Sequence, residues 1–414
     1  MSAPLLPDVT GRVAHPAPPT RFRAAEARGA AIGKMLRVVG RVREVDEDLM
    51  TRIGERFWTV DEPGARLAAA IRSKGDDQVR LDQFHRALAH GIDAVPEAPR
   101  ALREFFATVE DTPDWVDVDL MNRGGEVYRR LGRNAGDVLL QLSLIGGYRF
   151  GGPTDLLVAT GGLTGDMTRR RLAETQAWSI AVTEHDAMRR DGAGWRLTAH
   201  VRLMHALVNH RFDARPEWDA AHWGRPINQT DQAATLGLFT GALLLGVRTL
   251  GVTVTREESR AVMHLWKYVG WVMGVDEDWL FDTEREQHRL NYHVLLAQDD
   301  VTEAGARLAG SIVEAQADLH FRRFGALRRW YAPRRLLSML RPFLGRRGLA
   351  DLGLPVRLPW ATALVVPGNL WRYGVLVRTA WGRRRIDRWA RAYRDEQMYR
   401  YFGDDAPDVG RLGA

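Results

Sequence analysis

The helical spacing of apolar residues is the feature that most constrains the fold of this chain. From about residue 31 to residue 402, apolar side chains recur at intervals of three and four, and the alternating pattern of a β-strand is nearly absent. A chain of 414 residues with 45% hydrophobic content can also bury a large core. We therefore expect a single large all-α domain.

The pattern divides the chain into an arm, a helical body and a tail. Residues 1–30 are predicted to form a flexible N-terminal arm, 31–402 the helical domain, and 403–414 a flexible tail. Gly and Pro mark the breaks between predicted helices. The predicted helices cover 31–57, 65–90, 100–109, 121–144, 168–190, 195–212, 230–250, 257–273, 277–296 and 302–325, with a short apolar piece at 156–159, a basic stretch broken by proline at 331–359, and a last set of pieces at 371–402.

Composition excludes several classes of function. The net charge of +7 is mild for this length and the charges are interspersed, so we expect a solvated basic surface and no nucleic-acid partner. Cysteine is absent, which excludes disulfides, thiolate metal sites and covalent attachment of haem. Any metal ion must be held by other side chains, such as histidine or a carboxylate.

The sequence predicts a cytoplasmic protein without a transmembrane segment. The first residues have no basic region followed by an apolar one, so they do not resemble a secretion signal. The longest apolar run, 233–247, is shorter than the roughly 20 residues that span a bilayer. Aromatic and arginine residues in 383–402 allow peripheral contact with a membrane surface, but the pattern favours a terminal helix docked on the domain.

One histidine, His205, stands out within the predicted helix 195–212. Leu197, Val201, Met204, Val208 and Phe212 form an apolar stripe on this helix, and His205 lies beside the stripe. A buried imidazole needs a partner for its ring nitrogens, because an unpaired buried polar group costs roughly 1–3 kcal/mol. Iron is one such partner.

A polar trio lies on the preceding predicted helix. Arg171, Glu174 and Thr175 are spaced by three and four residues, so they project from one side. The short connection 191–194 predicts that this helix and the next are antiparallel neighbours, which allows the trio to meet His205. The spacing alone leaves two interpretations open: a metal or haem site, or a surface ion pair with a core histidine bonded to a carbonyl group.

A family resemblance favours the first interpretation. Arg171, Glu174 and Thr175, followed by His205 in Arg-Leu-Met-His-Ala, resemble the haem-binding core of the rubber oxygenases, also called latex clearing proteins, and of the related oxygenase of mycophenolic acid biosynthesis. The resemblance extends in order over about residues 100–300. It includes the segments TPDWVD (112–117), RGGEVY (123–128), TGGLT (160–164), WGRPINQ (223–229) and HLWKYVGWVMGVD (264–276).

The resemblance implies the cofactor and the role of each site residue. His205 would be the proximal ligand of a noncovalent haem b inside a partly globin-like core. Arg171 and Thr175 would lie on the distal side and act on dioxygen or on a haem propionate. Asp155 falls near an active-site carboxylate of the family. The implied reaction is the dioxygenation of a carbon–carbon double bond in an isoprenoid or another lipid-like alkene.

One departure from the family concerns Glu174. Rubber-cleaving members carry Lys at this position, and a carboxylate is a harder, anionic ligand that can also act as a base. This departure argues against polyisoprene as the substrate more than it argues against haem as the cofactor. Two alternatives stay open: a haem-binding sensor or carrier without turnover, and a helical protein that binds no haem.

Three further histidines, His264, His288 and His293, are candidate metal ligands. His264 has the surroundings of a packed core histidine, which is favoured over a second ligand. His288 and His293 follow Glu284 and Glu286 without the paired Glu-x-x-His repeats of a carboxylate di-iron bundle, so a di-iron centre is not expected.

Overall fold

Helices make up most of the described chain, and no β-strand occurs in it. The structure is a computed structural model that describes residues 17–161, 166–213 and 215–404. The first ten helices are α1 (Glu26–Ile32), α2 (Lys34–Val39), α3 (Glu47–Arg56), α4 (Glu62–Arg72), α5 (Leu81–His90), α6 (Arg100–Glu110), α7 (Val118–Leu131), α8 (Arg133–Val138), α9 (Pro153–Ala159) and α10 (Asp166–Ala181). The next ten are α11 (Ala193–Asp213), α12 (Ala220–Trp223), α13 (Gln229–Phe239), α14 (Gly241–Thr249), α15 (Arg256–Met273), α16 (Glu284–Leu296), α17 (Glu303–Ala315), α18 (Gly325–Asp351), α19 (Trp360–Gly374) and α20 (Ala380–Phe402). The predicted all-α domain is confirmed, whereas the globin-like character of its core stays a prediction.

The centre of the fold is the pair formed by α7 and α15, against which α11 packs. Gly124 permits the close approach of α7, because a Cβ atom there would lie 2.2 Å from the backbone oxygen of Ala261. The start of α15 is fixed by a reciprocal cap in which Thr255 and Glu258 each accept a hydrogen bond from the other's backbone N–H. The helix of His205, α11, packs against both α4 and α15.

Two clusters of buried apolar side chains meet at α10. Trp178, near its C-terminal end, belongs to the main core around α7, α11 and α15. Leu172, two turns earlier, belongs to a second core with Tyr148, Leu308 and Leu340 from other elements. The polar trio on α10 therefore lies where the two cores adjoin.

None of the helices in the described residues is long and apolar enough to cross a membrane.

The structure corrects several predicted helix bounds. The segments 31–57, 65–90 and 121–144 are each divided into shorter helices, and the last of them passes through α8 into a π-helix, Leu139–Ile145. The predicted helix 230–250 breaks at Thr240, whose backbone angles (φ −111°, ψ −99°) lie outside the helical region.

Two corrections concern segments that bear on function. The predicted helix 168–190 ends at Ala181, and the chain then turns through Asp186 and Asp191, which adopt left-handed backbone angles (φ 56° and 70°). The sequence predicts that prolines break the basic stretch 331–359, and this prediction is wrong for most of the stretch. Most of it instead continues α18, which is non-helical only at Gly345 and keeps two prolines inside because buried side chains on its inner face hold it in place.

The predicted domain bounds stay a prediction, but part of the predicted arm packs on the body. Arg21 is fully buried, and its guanidinium bonds to the carboxylate of Asp231 at 2.5 Å. Residues 1–16 of the arm and 405–414 of the tail lie outside the described residues.

Candidate active site around His205

His205 lies inside the fold, yet its ring keeps access to open space. Burial lowers the pKa of the imidazole to about 4, and the negative charge of Asp61 opposes this shift only in part. The residue as a whole is half buried, whereas Nδ1 is covered and has no hydrogen-bond partner among the described residues. The ring is therefore neutral at neutral pH, and it is reached from the side away from Nδ1.

The apolar stripe beside His205 has the same intermediate burial. The opposite side of α11, which includes Leu203, Ala206 and Leu207, is packed into the protein. The stripe residues that are half buried are Leu197, Val201, Met204 and Val208, and only Phe212 at the end of the stripe is buried. A strongly desolvated imidazole next to accessible apolar side chains is typical of the wall of a cleft.

The neighbouring helix α10 runs antiparallel to α11. Trp178 donates a hydrogen bond from Nε1 to Oγ1 of Thr198 at 3.0 Å. Four residues further along the chain, just past the end of α10, Val182 lies against Gly194, where a Cβ atom would be 2.8 Å from the Val182 Cα atom. From the first contact to the second, the residue number rises by four on one side and falls by four on the other. The two contacts therefore confirm the predicted antiparallel pairing. The connection between the helices, 182–192, is longer than predicted.

The same register brings Arg171 level with His205. Arg171 precedes Trp178 by seven residues, and His205 follows Thr198 by seven. Seven residues rise about 10 Å along a helix and turn through about 700°, which is within roughly 20° of two full turns. Arg171 therefore lies about 10 Å along α10 from Trp178 and on nearly the same face. His205 lies equally far along α11 from Thr198, again on nearly the same face.

Arg171 is a half-buried cation held by one hydrogen bond. Its Nη2 donates to Oγ1 of Thr160, at the end of α9, at 3.3 Å. Burial lowers the pKa of the guanidinium, and the nearby groups of Glu174 and Tyr148 oppose that shift. An arginine remains charged in proteins, so its remaining N–H groups can bind an anion or a polar oxygen.

The other two members of the trio have different surroundings. Glu174 accepts a hydrogen bond on Oε1 from Nε of Arg170 at 2.9 Å, so the ion pair on α10 involves Arg170, four residues away, and not Arg171. Thr175 is exposed. Arg171 is thus the cation of the trio, and no carboxylate among the described residues is bonded to it.

Asp155 is fixed at the start of α9 by one of its two carboxylate oxygens. Its Oδ2 accepts hydrogen bonds from the backbone N–H of Gly152 at 3.1 Å and from Oγ1 of Thr302 at 3.0 Å. No group among the described residues donates to Oδ1. The family resemblance implies an active-site carboxylate near this position, and the arrangement orients the side chain while leaving one oxygen available.

Comparison with known proteins now identifies the family. Residues 129–379 match the family model described as ER-bound oxygenase mpaB/B'/Rubber oxygenase, catalytic domain. The chain belongs to this oxygenase family. The matched region contains all five predicted site residues, from Asp155 to His205.

Two individual relatives support the assignment to the mpaB/rubber oxygenase family. The rubber oxygenase of Streptomyces sp. (strain K30) is 25% identical over 289 residues, which are 67% of this chain and 68% of that protein. A solved structure of latex clearing protein LCP in the closed state aligns with a TM-score of 0.65 and 19% identity, covering 82% of this chain and 91% of the other. The first supports an oxygenase activity in this chain, and the second confirms the fold.

Sequence reasoning missed a buried ion pair next to this oxygenase site. Arg202, one helical turn before His205, donates from Nε and Nη2 to the two carboxylate oxygens of Asp61 at 2.6 and 2.7 Å. The side chains are only 3% and 10% exposed. Arg202 is the first residue of the Arg-Leu-Met-His-Ala motif, but the sequence has no signal for a partner 141 residues earlier.

Two of the three other candidate histidines are held by backbone groups. His264 accepts a hydrogen bond from the N–H of Asp117 at 2.9 Å, as expected for a packed core histidine. His293 accepts one from the N–H of Asp46 at 3.0 Å. Within the part of the chain that the structure describes, no group of three or more histidine, aspartate or glutamate side chains is placed to hold a metal ion.

Proposed function

We propose that this member of the mpaB/rubber oxygenase family is a haem-b-dependent oxygenase that uses dioxygen to cleave or oxidise a carbon–carbon double bond of an isoprenoid or other lipid-like alkene. The observation that carries the proposal is His205. It offers a neutral imidazole inside the fold, with a covered and unpaired Nδ1, on a half-accessible apolar stripe. Iron binds imidazole only in its neutral form, which this environment favours.

The residues present fit a noncovalent haem. The porphyrin supplies four ligands to iron, so one histidine is sufficient and no cluster of protein ligands is required. The stripe of Leu197, Val201, Met204 and Val208 offers an apolar wall for the macrocycle. When bound, haem would supply the iron-centred redox chemistry by which dioxygen is activated.

The contacts of Arg171 and Asp155 support their tasks, whereas the task of Thr175, which is exposed, rests on the family resemblance. Arg171, level with His205 on the facing helix, would donate hydrogen bonds to dioxygen or to a carboxylate of the cofactor, and Thr175 would donate from the same side. Asp155 would take an allylic proton on Oδ1, because its Oδ2 is already engaged. Glu174 is the less suitable base, because its Oε1 is bonded to Arg170.

The substrate class follows from the apolar wall and from the departure at Glu174. The Streptomyces relative is named for rubber, and the resemblance places Lys in rubber-cleaving members where this chain has Glu174. Position 174 here carries a carboxylate, paired with Arg170, and therefore no amine. We therefore propose smaller isoprenoid or lipid-like alkenes as substrates, rather than polyisoprene alone.

Absorption spectroscopy tests the cofactor. The purified or haem-reconstituted protein should have a Soret band at roughly 400 nm, as expected for ferric haem. His205→Ala should lose or weaken the band, whereas His210→Ala, a change at an exposed histidine on the same helix, should not. Protein that stays colourless after reconstitution would contradict the proposal.

Substrate assays test turnover separately from cofactor binding. Haem-loaded protein incubated with a panel of terpenoid alkenes under labelled dioxygen should consume it and give carbonyl products that contain the label, detected by mass spectrometry. A Soret band without oxygen consumption would instead support a sensor or carrier. We also expect Glu174→Lys to shift the spectrum toward a six-coordinate low-spin form, because an amine is a stronger-field ligand than a carboxylate. An unchanged spectrum would mean that position 174 does not face the iron.

A further inference from the structure

Exposed apolar side chains are concentrated in one stretch of the chain. Among the described residues, fourteen large hydrophobic side chains are exposed, and twelve of them lie between residues 324 and 381. They include four tryptophans: Trp330, Trp360, Trp371 and Trp381. Isolated exposed apolar residues are ordinary, whereas exposed apolar residues that adjoin one another indicate an interaction surface.

Helix α19 presents its apolar side to solvent. Trp360, Leu364, Trp371 and Val375 are separated by four, seven and four residues, so they share one face, and they are 37%, 71%, 55% and 58% exposed. A helix on the surface of a soluble protein normally places charged residues there. The only charged residue of α19 is Arg372.

The exposed face continues onto α18. Tyr331 of α18 packs against Trp360 with ring centroids 5.6 Å apart. Leu327, four residues before Tyr331, lies on the same side of α18 and is 62% exposed, and Phe324, which directly precedes the helix, is 74% exposed. The two helices thus form one apolar surface.

The basic charge of the protein is concentrated in the same stretch. Residues 322–385 contain fifteen arginines, no lysine and one acidic residue, Asp351, so this stretch has a net charge of +14. The whole chain carries only +7, and the other residues together therefore carry −7. Eleven of the fifteen arginines are exposed, and none of those eleven forms an ion pair with an acidic group in the described part of the chain.

Arginine and tryptophan are interleaved on this surface. The guanidinium of Arg334 lies 4.2 Å from the ring centroid of Trp330, and that of Arg385 lies 5.4 Å from Trp381. Tryptophan favours the boundary between apolar and aqueous phases, and arginine can keep its charged group in water while its stem lies along an apolar layer.

We propose that residues 322–385, the basic aromatic surface, bind the face of a bilayer that contains anionic phospholipids. The apolar residues of α18 and α19 would enter the interfacial layer, and the eleven exposed arginines would contact lipid phosphates. A second copy of the chain is a poor occupant, because a two-fold interface would bring two surfaces of charge +14 together. Nucleic acid would match the charge but would leave the apolar face of α19 without a partner.

The proposal does not depend on haem or on turnover. Of the segment 383–402, for which the sequence allowed a membrane contact, it includes only Arg383, Arg384 and Arg385. The rest of that segment continues α20, which docks on the body through buried Ile386, Ala390 and Gln397, as the sequence favoured.

Vesicle flotation with the full-length protein tests the proposal. We expect the protein to float with vesicles of equal parts phosphatidylcholine and phosphatidylglycerol, to float poorly with phosphatidylcholine alone, and to be released as salt rises, since ionic strength screens charge. R383Q/R384Q/R385Q should weaken binding roughly a hundredfold, at about fivefold for each arginine near an anionic surface. L364S/W371S should weaken it about tenfold or more through lost apolar burial.

Matched variants at exposed sites elsewhere separate the surface from general effects. M35S/V38S changes the two exposed apolar residues outside it, and R52Q/R72Q/K74Q removes three exposed charges. Both controls should bind like the wild type, and circular dichroism should confirm that all variants fold. Equal binding to neutral and anionic vesicles, no binding at all, or equal losses in variants and controls would overturn the proposal. So would a dimer, detected by light scattering, that L364S/W371S dissociates while vesicle binding is absent.

Discussion

The low pKa of His205 predicts how the stability of the folded chain depends on pH. The imidazole has an ordinary pKa of about 6.5 in the unfolded chain and a pKa of about 4 in the folded one, because burial penalises its charged form. Between these values the unfolded state binds a proton that the folded state does not. The contribution of His205 is therefore complete above pH 6.5 and is lost as the pH falls toward 4.

The size of this effect follows from the difference in pKa. A change from 6.5 to about 4 corresponds to about 3 kcal/mol of unfolding free energy. Urea unfolding of the cofactor-free protein, measured from pH 7.5 to pH 4, should give this loss in the wild type beyond that of His205→Gln, which cannot titrate. The exposed His210 provides the control on the same helix, and His210→Gln should follow the wild type.

The result that would refute this reasoning is a constant difference between the wild type and His205→Gln across the pH range. Parallel curves would mean that His205 titrates alike in the folded and unfolded chain. The ring would then be well solvated, and the physical argument for a neutral ligand at this position would be lost.

Three further predictions concern the surroundings of the site. Asp61→Asn leaves the charge of Arg202 buried without its partner, so it should lower the unfolding free energy, measured by urea denaturation, by roughly 3–5 kcal/mol. Adding Arg202→Met should restore part of this loss. Equal stability of the wild type and the single variant would contradict the prediction. Gly124→Ala places a Cβ atom against a backbone oxygen of α15 and should cost about 1–3 kcal/mol in the same assay, with an unchanged value counting against the close packing. Asp155→Asn should reduce turnover of an accepted alkene by about a hundredfold or more while the Soret band persists, and Glu174→Gln should reduce it less; the reverse order would assign the proton transfer to Glu174.

Much of the helical organisation could be predicted from local spacing. The predicted helix 195–212 lies within α11, and the antiparallel pairing of α10 and α11 follows from their nearness in sequence. These features are local, because the period of 3.6 residues and the connection between two consecutive helices depend on residues that are close in sequence. The break after Ala181 was missed because left-handed turns at Asp186 and Asp191 have no strong sequence signal.

The sequence by itself determined that the chain is helical, which residues share a helix face, and which family its motifs resemble. Only the tertiary structure decided what each face meets. It left the stripe beside His205 half accessible, joined Arg202 to a carboxylate far away in the chain, and turned the apolar side of α19 outward. The physical reason is that periodicity fixes the angle of a side chain around its own helix, whereas burial, charge partners and pKa depend on elements that are distant in sequence and meet only in the folded chain.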